Sequence, residues 1–226
     1  FRSSRKPSLE SSPATALATP SGRASIRAEL ARCIQHPWYW LTRHAKTLDA
    51  HDKRQPINPF PDKPYLRELT DLWVVEPLLV VPKSRQMLAS WLFCALYLWD
   101  TQFFNGRLNL FQSKKEDDAD DLAERSWVIY QCQPEWMRNL FPAARLHRRL
   151  MFHGSRSEIR AIPQGGDQVR MHTASGILED EAASQEEFEE AFIAARPTIV
   201  RGGRMTVVST PKGQNFFADI VFDRIG

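Results

Sequence analysis

The sequence predicts an α/β protein: a mostly parallel sheet flanked by helices, with an N-terminal helical extension. Three observations carry this. From Leu78 onward, short apolar runs of strand length alternate with longer segments of helical period, the pattern of strands joined by crossover helices. At 226 residues and 42% apolar composition, the chain suffices for one sizeable core with appendages and is short for two full domains. The short apolar run that opens Ile177–Ala183 closes on the adjacent acids Asp180 and Glu181, so carboxylates are delivered to the edge of a core.

Residues 1–25 are rich in Ser, Pro, Ala and Arg without periodic apolar positions, and read as a disordered or loosely attached tail. Ile26, Leu30, Cys33 and Ile34 fall at helical spacing, so a helix is expected from Ile26 to His36. Pro37 interrupts it, and an aromatic helix follows over Trp38–Leu48. The segment 49–63 is turn-rich, with four prolines across Pro56–Pro64, before a helix at Tyr65–Trp73. Strands are then expected at Leu78–Val81, Leu108–Gln112, Gly176–Glu179 and Met205–Ser209. Helices are expected at Met87–Thr101, Glu116–Cys132, Pro134–Leu140, Gln185–Ala195 and from Gln214, with strand-and-turn structure over Leu150–Met171. The helix from Glu116 opens with acids, as a helix dipole favours, and its Arg125 reads as a salt-bridged surface residue. The boundaries are a tail (1–25), a helical segment (26–59) and a core domain (60–226).

Composition narrows the function. The longest apolar stretches, Leu78–Pro82 and Trp91–Trp99, are too short to cross a bilayer, so no membrane partner is expected. Cys33, Cys94 and Cys132 show no metal-ligand spacing and read as free thiols of a reducing compartment, and the six histidines form no ligand grouping. A net charge of +3 permits a polyanionic partner without requiring one. Arg145–Arg149 and Arg201–Arg204 are the local basic clusters, readable as solvated turns or as nucleic-acid contacts.

The chemistry lies in three short motifs. A phosphate-binding loop needs a strand, a loop of backbone N–H groups and a helix N-terminus. Leu78–Ser90 (L-L-V-V-P-K-S-R-Q-M-L-A-S) has that order. Against G-x-x-x-x-G-K-[ST], Ser90 keeps the terminal hydroxyl, while Leu88 and Ala89 stand where Gly and Lys are usual. A lysine at the loop's start, Lys83, can still bring its ammonium to the phosphates, and Arg85 adds a second cation. Leu88 occupies a position where a tight turn favours φ > 0. The pair Asp180-Glu181 supplies the other half of such a site: one carboxylate for Mg²⁺, one to polarise an attacking water. The third motif is Val207–Gly213, V-V-S-T-P-K-G, at the end of the last strand.

K-S-R-Q-M-x-x-S, E-D-E-A-A and V-V-S-T-P-K-G, in that order, resemble the ATPase half of a tailed-bacteriophage terminase large subunit, a DNA-packaging motor. The segment Phe111–Leu122 resembles the stretch after the second core strand of such motors, and the likeness spans about Phe60 to Gly226. The resemblance implies a P-loop NTPase core that hydrolyses ATP with Mg²⁺. It assigns Lys83, Ser84, Arg85, Gln86 and Ser90 to the nucleotide, and Ser90 with Asp180 to Mg²⁺. Glu181 becomes the water-activating base, with Arg85 or Arg170 as the catalytic arginine, Arg170 reaching a neighbouring subunit. Ser209, Thr210 and Pro211 become the motif that couples hydrolysis to movement. The implied partners are double-stranded DNA, a portal protein, a small terminase subunit and copies of the chain in a ring, in the host cytoplasm. The family's C-terminal nuclease domain has no counterpart in the sequence, which reads as an excised ATPase domain. Two other readings stand beside it: another nucleic-acid translocase or helicase, and a non-hydrolysing nucleotide- or DNA-binding module. The W-Y-W cluster Trp38–Trp40, Phe60 and Tyr65 are further adenine candidates, with a buried aromatic staple as the alternative for the first.

Overall fold

A computed structural model describes residues 20–49 and 52–224. Most of the expected tail (1–19) lies outside the described residues. Helix α1 starts at Pro20 and runs to Gln35, six residues earlier than the apolar periodicity indicates. Helix α2 (Pro37–His44) follows, with Pro37 at its first turn, where the missing N–H costs nothing.

The expected helix Trp38–Leu48 does not continue past His44. Strand β1 (Lys46–Leu48) pairs antiparallel with β2 (Ile57–Pro59), Thr47 opposite Asn58, so the Pro-rich segment holds a small hairpin rather than turns alone. The pairing partner lies across an intervening loop, and this tertiary contact overrides the local helical pattern. Pro59 sits at the ribbon's end, where a missing donor is tolerated.

The core elements follow the expected order: α3 (Pro64–Val75), β3 (Leu78–Pro82), α4 (Ala89–Phe103), β4 (Leu108–Gln112), α5 (Glu116–Gln131) and α6 (Glu135–Leu140). Then come β5 (Ala144–Leu146), β6 (Arg149–Phe152), β7 (Ser157–Ala161), α7 (Gly166–Arg170) and β8 (Gly176–Asp180). A 3₁₀ turn at Ala182–Ser184, α8 (Phe188–Val200), β9 (Arg204–Ser209) and α9 (Phe216–Val221) complete the chain. The seven-stranded sheet has the order β3-β9-β8-β4-β7-β6-β5. Its first five strands are parallel, and β6 and β5 are added antiparallel.

Strand alternation divides the core in two. Phe111, Leu178 and Val208 face α4 and α5, while their neighbours Leu110, Ile177 and Val207 face α7, α8 and α9. Helix α4 is buried over 12 of its 15 residues, which explains an apolar sequence without a polar stripe. Trp40 is fully buried and meets Phe103 edge-on at 6.1 Å, so the aromatic cluster staples α2 to the core.

Parallel pairing sets the site. Pro82 is in register with Ser209, Asp180 with Val208, and Glu179 with Gln112. The carboxyl ends of β3, β9, β8 and β4 therefore share one edge of the sheet, where open α/β sheets bind ligands.

Candidate nucleotide-binding site

The loop from Lys83 to Leu88 leaves β3 with the Lys83 N–H bonded to the Ser209 carbonyl at 2.9 Å. Two of its residues take left-handed backbone, Gln86 (φ 62°) and Leu88 (φ 53°). The turn that favours glycine thus forms with leucine. For an L-residue this conformation costs about 1–2 kcal/mol, tolerated because strand and helix hold both ends. Helix α4 begins at Ala89 immediately beyond it, so its unpaired N-terminal N–H groups face the loop.

Opposite stands the end of β8. The Ser90 hydroxyl lies 3.0 Å from both Asp180 carboxylate oxygens. The Lys83 ammonium lies 3.0 Å from Glu181 Oε1. The structure therefore joins the loop and the acid pair, 90 or more residues apart in sequence, through two direct contacts. Burial pushes the Asp180 carboxyl up, while the Ser90 hydrogen bond and the Lys83 charge pull it down. Glu181 is left-handed (φ 54°) and starts the 3₁₀ turn that swings its side chain out of the strand.

These groups fit a divalent cation. Two ligands about 2.1 Å from one octahedral ion are separated by about 3.0 Å, the spacing seen between Ser90 Oγ and Asp180. A buried carboxylate raised by desolvation is also relieved by an added positive charge.

Two cavities flank Lys83 and Gln86. One, of about 630 Å³, is lined by Thr47, Asn58, Lys83, Ser90, Trp91 and Arg125. The other, of about 610 Å³, is lined by Arg85, Lys114, Glu181, Thr210 and Lys212. Each is within the usual size of small-molecule sites. Ser84 and Arg85 lie on the loop between them, Arg85 exposed.

The third motif meets the second directly. Ser209, fully buried, accepts the Ala183 N–H at 2.9 Å, and Asn215 Nδ2 donates to the Ala183 carbonyl at 2.9 Å. Thr210 and Pro211 line the second cavity.

Other expected residues lie elsewhere. Arg170 pairs with Asp167 at 2.8 Å and lines a separate cavity with Arg107, Ser175 and Gly203. Those residues precede their strands, so Arg170 is at the opposite sheet edge and does not enter this chain's own site. Phe60 is buried, and the Tyr65 hydroxyl is spent on the Met87 carbonyl at 3.3 Å. The basic cluster Arg145–Arg149 is neutralised by acids: Arg145 by Asp120 and Glu124, Arg148 by Glu116, Arg149 by Glu158. Arg204 lies 3.9 Å above the Trp73 ring and donates to its carbonyl, which makes it a packing residue.

Sequence reasoning missed three contributors and misread a fourth. Thr47 and Asn58 come from the unforeseen hairpin. Gln185 donates to the Asp180 carbonyl at 3.0 Å and to Glu179 at 3.1 Å, and nothing in its surrounding sequence marks it. Arg125 has no carboxylate partner among the described residues: it lines the first cavity, 6.0 Å from the Trp91 ring, so it is not the salt-bridged helix residue expected.

The same fold occurs in solved phage large terminases. The HK97 bacteriophage large terminase superposes with a TM-score of 0.63 at 11% identity, over 84% of this chain and 40% of that one. An arginine-to-alanine variant of the Thermus phage P74-26 large terminase ATPase domain gives 0.54 at 20% identity, over 71% and 69%. The large terminase of another thermophilic bacteriophage, in complex with ADP, gives 0.52 at 16% identity, over 73% and 43%. This chain spans about two fifths of the HK97 protein's length. At these identities the shared property is the fold. No protein-family profile matches the sequence, and no curated protein matches it significantly.

Proposed function

We propose that this chain is a Mg²⁺-dependent ATPase that drives double-stranded DNA into a viral capsid, as the motor part of a terminase large subunit. The observation that carries the reading is the pair of contacts between loop and strand end: Ser90 on Asp180 and Lys83 on Glu181. Lys83, with Ser84, Arg85 and Gln86 of the loop, binds the nucleotide phosphates. Ser90 and Asp180 hold Mg²⁺, which when bound neutralises phosphate charge. Glu181, at the rim of the second cavity and one-third exposed, orients the attacking water and takes its proton. Its 3₁₀ turn is fastened to Ser209, so a shift of Glu181 is passed to β9, Thr210 and Pro211, and from there to a DNA-gripping surface.

The left-handed Leu88 counts against the non-hydrolysing reading, because the loop conformation that lacked its glycine forms all the same. Arg170, at the opposite sheet edge from Asp180 and Glu181 of its own chain, is assigned to the site of a neighbouring copy in a ring; Arg85 is the arginine that lines this chain's own second cavity. With Arg145, Arg148, Arg149 and Arg204 spent internally, Arg201 remains as the exposed basic residue of the second cluster. DNA contact is to phosphates, as a motor indifferent to sequence requires, and falls steeply with salt. No helix among the described residues is long and apolar enough to cross a membrane. Portal protein, small terminase subunit and host cytoplasm complete the proposal by likeness to such motors.

Calorimetric titration with Mg·ATP, on wild type, Lys83→Ala and Glu181→Gln, tests it. Wild type binds, Lys83→Ala does not, and Glu181→Gln binds but hydrolyses about 10²–10⁴-fold more slowly in the assembled motor. A correctly folded wild type that binds no nucleotide overturns the reading.

A further inference from the structure

Arg125 stands on α5, the helix packed beside α4, and its guanidinium lies 6.0 Å from the centroid of Trp91, the residue after Ser90. Four of the six acids of α5 are engaged elsewhere: Glu116 with Arg148, Asp118 with Lys114, Asp120 and Glu124 with Arg145, while Asp117 and Asp121 join no ion pair among the described residues. None of the ion pairs among the described residues includes Arg125. It faces the 630 Å³ cavity instead, alongside Lys83, Ser90 and the hairpin residues Thr47 and Asn58.

A half-buried cation without a counter-ion is held poorly by a ring at 6.0 Å, near the outer limit for cation–π attraction. A phosphate group offers it a charge-assisted, bidentate partner, which no carboxylate among the described residues supplies.

We propose that Arg125 is a nucleotide-contacting residue: its guanidinium moves off the Trp91 ring to bind the phosphate chain of a nucleotide in the cavity between the β1–β2 hairpin and the Lys83–Leu88 loop. The inference rests on the nucleotide reading above and adds to it a cation from outside all three sequence motifs.

The test is a phosphate ladder on the full chain: Mg²⁺ with AMP, ADP or ATP, each titrated against wild type, Arg125→Gln, Arg125→Lys and Lys83→Ala, with melting curves to confirm folding. Arg125→Gln should weaken ATP by about 10- to 100-fold, the range for a lost hydrogen bond to a charged group. The loss should shrink through ADP to AMP, and Arg125→Lys should recover part of it. Equal weakening of all three nucleotides would mean a contact to the base, ribose or α-phosphate that they share, or a structural role, and would overturn the assignment to the outer phosphates. Binding of ATP by Arg125→Gln at wild-type affinity, while Lys83→Ala fails to bind, would overturn this inference alone. A folded wild type that binds none of the three overturns it together with the nucleotide reading.

Discussion

Replacing Ser209 by alanine tests whether the end of β9 holds the turn that carries Glu181. Both backbone polar groups of Ala183 are gripped: its N–H by Ser209 Oγ and its carbonyl by Asn215 Nδ2, each at 2.9 Å. Ser209 is fully buried and Ala183 is 8% exposed, so Ser209→Ala leaves a donor that water reaches poorly. An orphaned buried donor costs about 1–3 kcal/mol. In a chain of this size that lowers Tm by about 2–12 °C. Asn215→Ala also removes the cap that accepts the Ala218 N–H at 3.1 Å, an added loss of about 0.5–2 kcal/mol. The double variant should lose less than the sum, since once one hand is off Ala183 the other holds a residue already free to move. Urea unfolding of the four proteins, with unchanged m, measures this. Mg·ATP affinity should stay near wild type, because Ser209 acts from β9 through its hydroxyl on Ala183, while hydrolysis falls with the loosened Glu181. Coincident unfolding midpoints for wild type and Ser209→Ala would refute the clamp.

Glu179, fully buried and with one carboxylate oxygen unpartnered, is pushed up to about 8 by burial. Its folded pKa exceeds the ordinary 4.5, so the native state keeps a proton the unfolded state releases, and stability falls as pH rises from about 4.5 to about 8. Glu179→Gln should therefore be more stable than wild type by a margin that grows over that window, to at most about 5 kcal/mol; a pH-independent margin in urea melts refutes it. At position 88 the left-handed backbone reverses the usual order, so Leu88→Gly should melt above Leu88→Ala, by up to about 1 kcal/mol. The opposite order would mean the loop is not left-handed there. Burial pushes the Cys33 and Cys94 thiols up to about 12, while Cys132 is less enclosed. A thiol reagent at pH 8 should modify Cys132 first and the other two only after denaturation; three fast thiols in the native protein contradict this.

Strands β3, β4, β8 and β9 were legible because each is a short apolar run whose two faces both meet helices, so period and length agree. Asp180 and Glu181 were legible for the same reason, as the charges that close such a run. What escaped was anything defined by a distant partner. Thr47 and Asn58 build a hairpin only when paired with each other, and neither flank announces it. The arginines at 145, 148 and 149 look like a DNA contact until α5 lays Glu116, Asp120 and Glu124 beside the first two and Glu158 meets the third. Arg125, on the same helix, joins no ion pair among the described residues although Asp121 lies one turn before it. Local composition shows which charges exist, and only the fold shows which are left over.

The Lys83–Glu181 contact raises a question of magnitude that decides how the site works. The Lys83 ammonium has three N–H donors, one of them on Glu181, so a bound phosphate would either share the ammonium or take it over. The pair is partly exposed, at 11% and 33%, and a solvent-screened ion pair of that kind contributes about 1 kcal/mol or less. A charge-assisted contact to a phosphate is worth about 1.5–3 kcal/mol. In the proposed ATPase, exchange would therefore favour the nucleotide and would free the Glu181 carboxylate to face water only once a nucleotide is present. Glu181→Gln keeps the side chain's length but removes the ion pair, so it should bind Mg·ATP at least as tightly as wild type while hydrolysing it far more slowly. Weaker binding in that variant would mean that Glu181 holds Lys83 in place for the phosphate rather than competing with it.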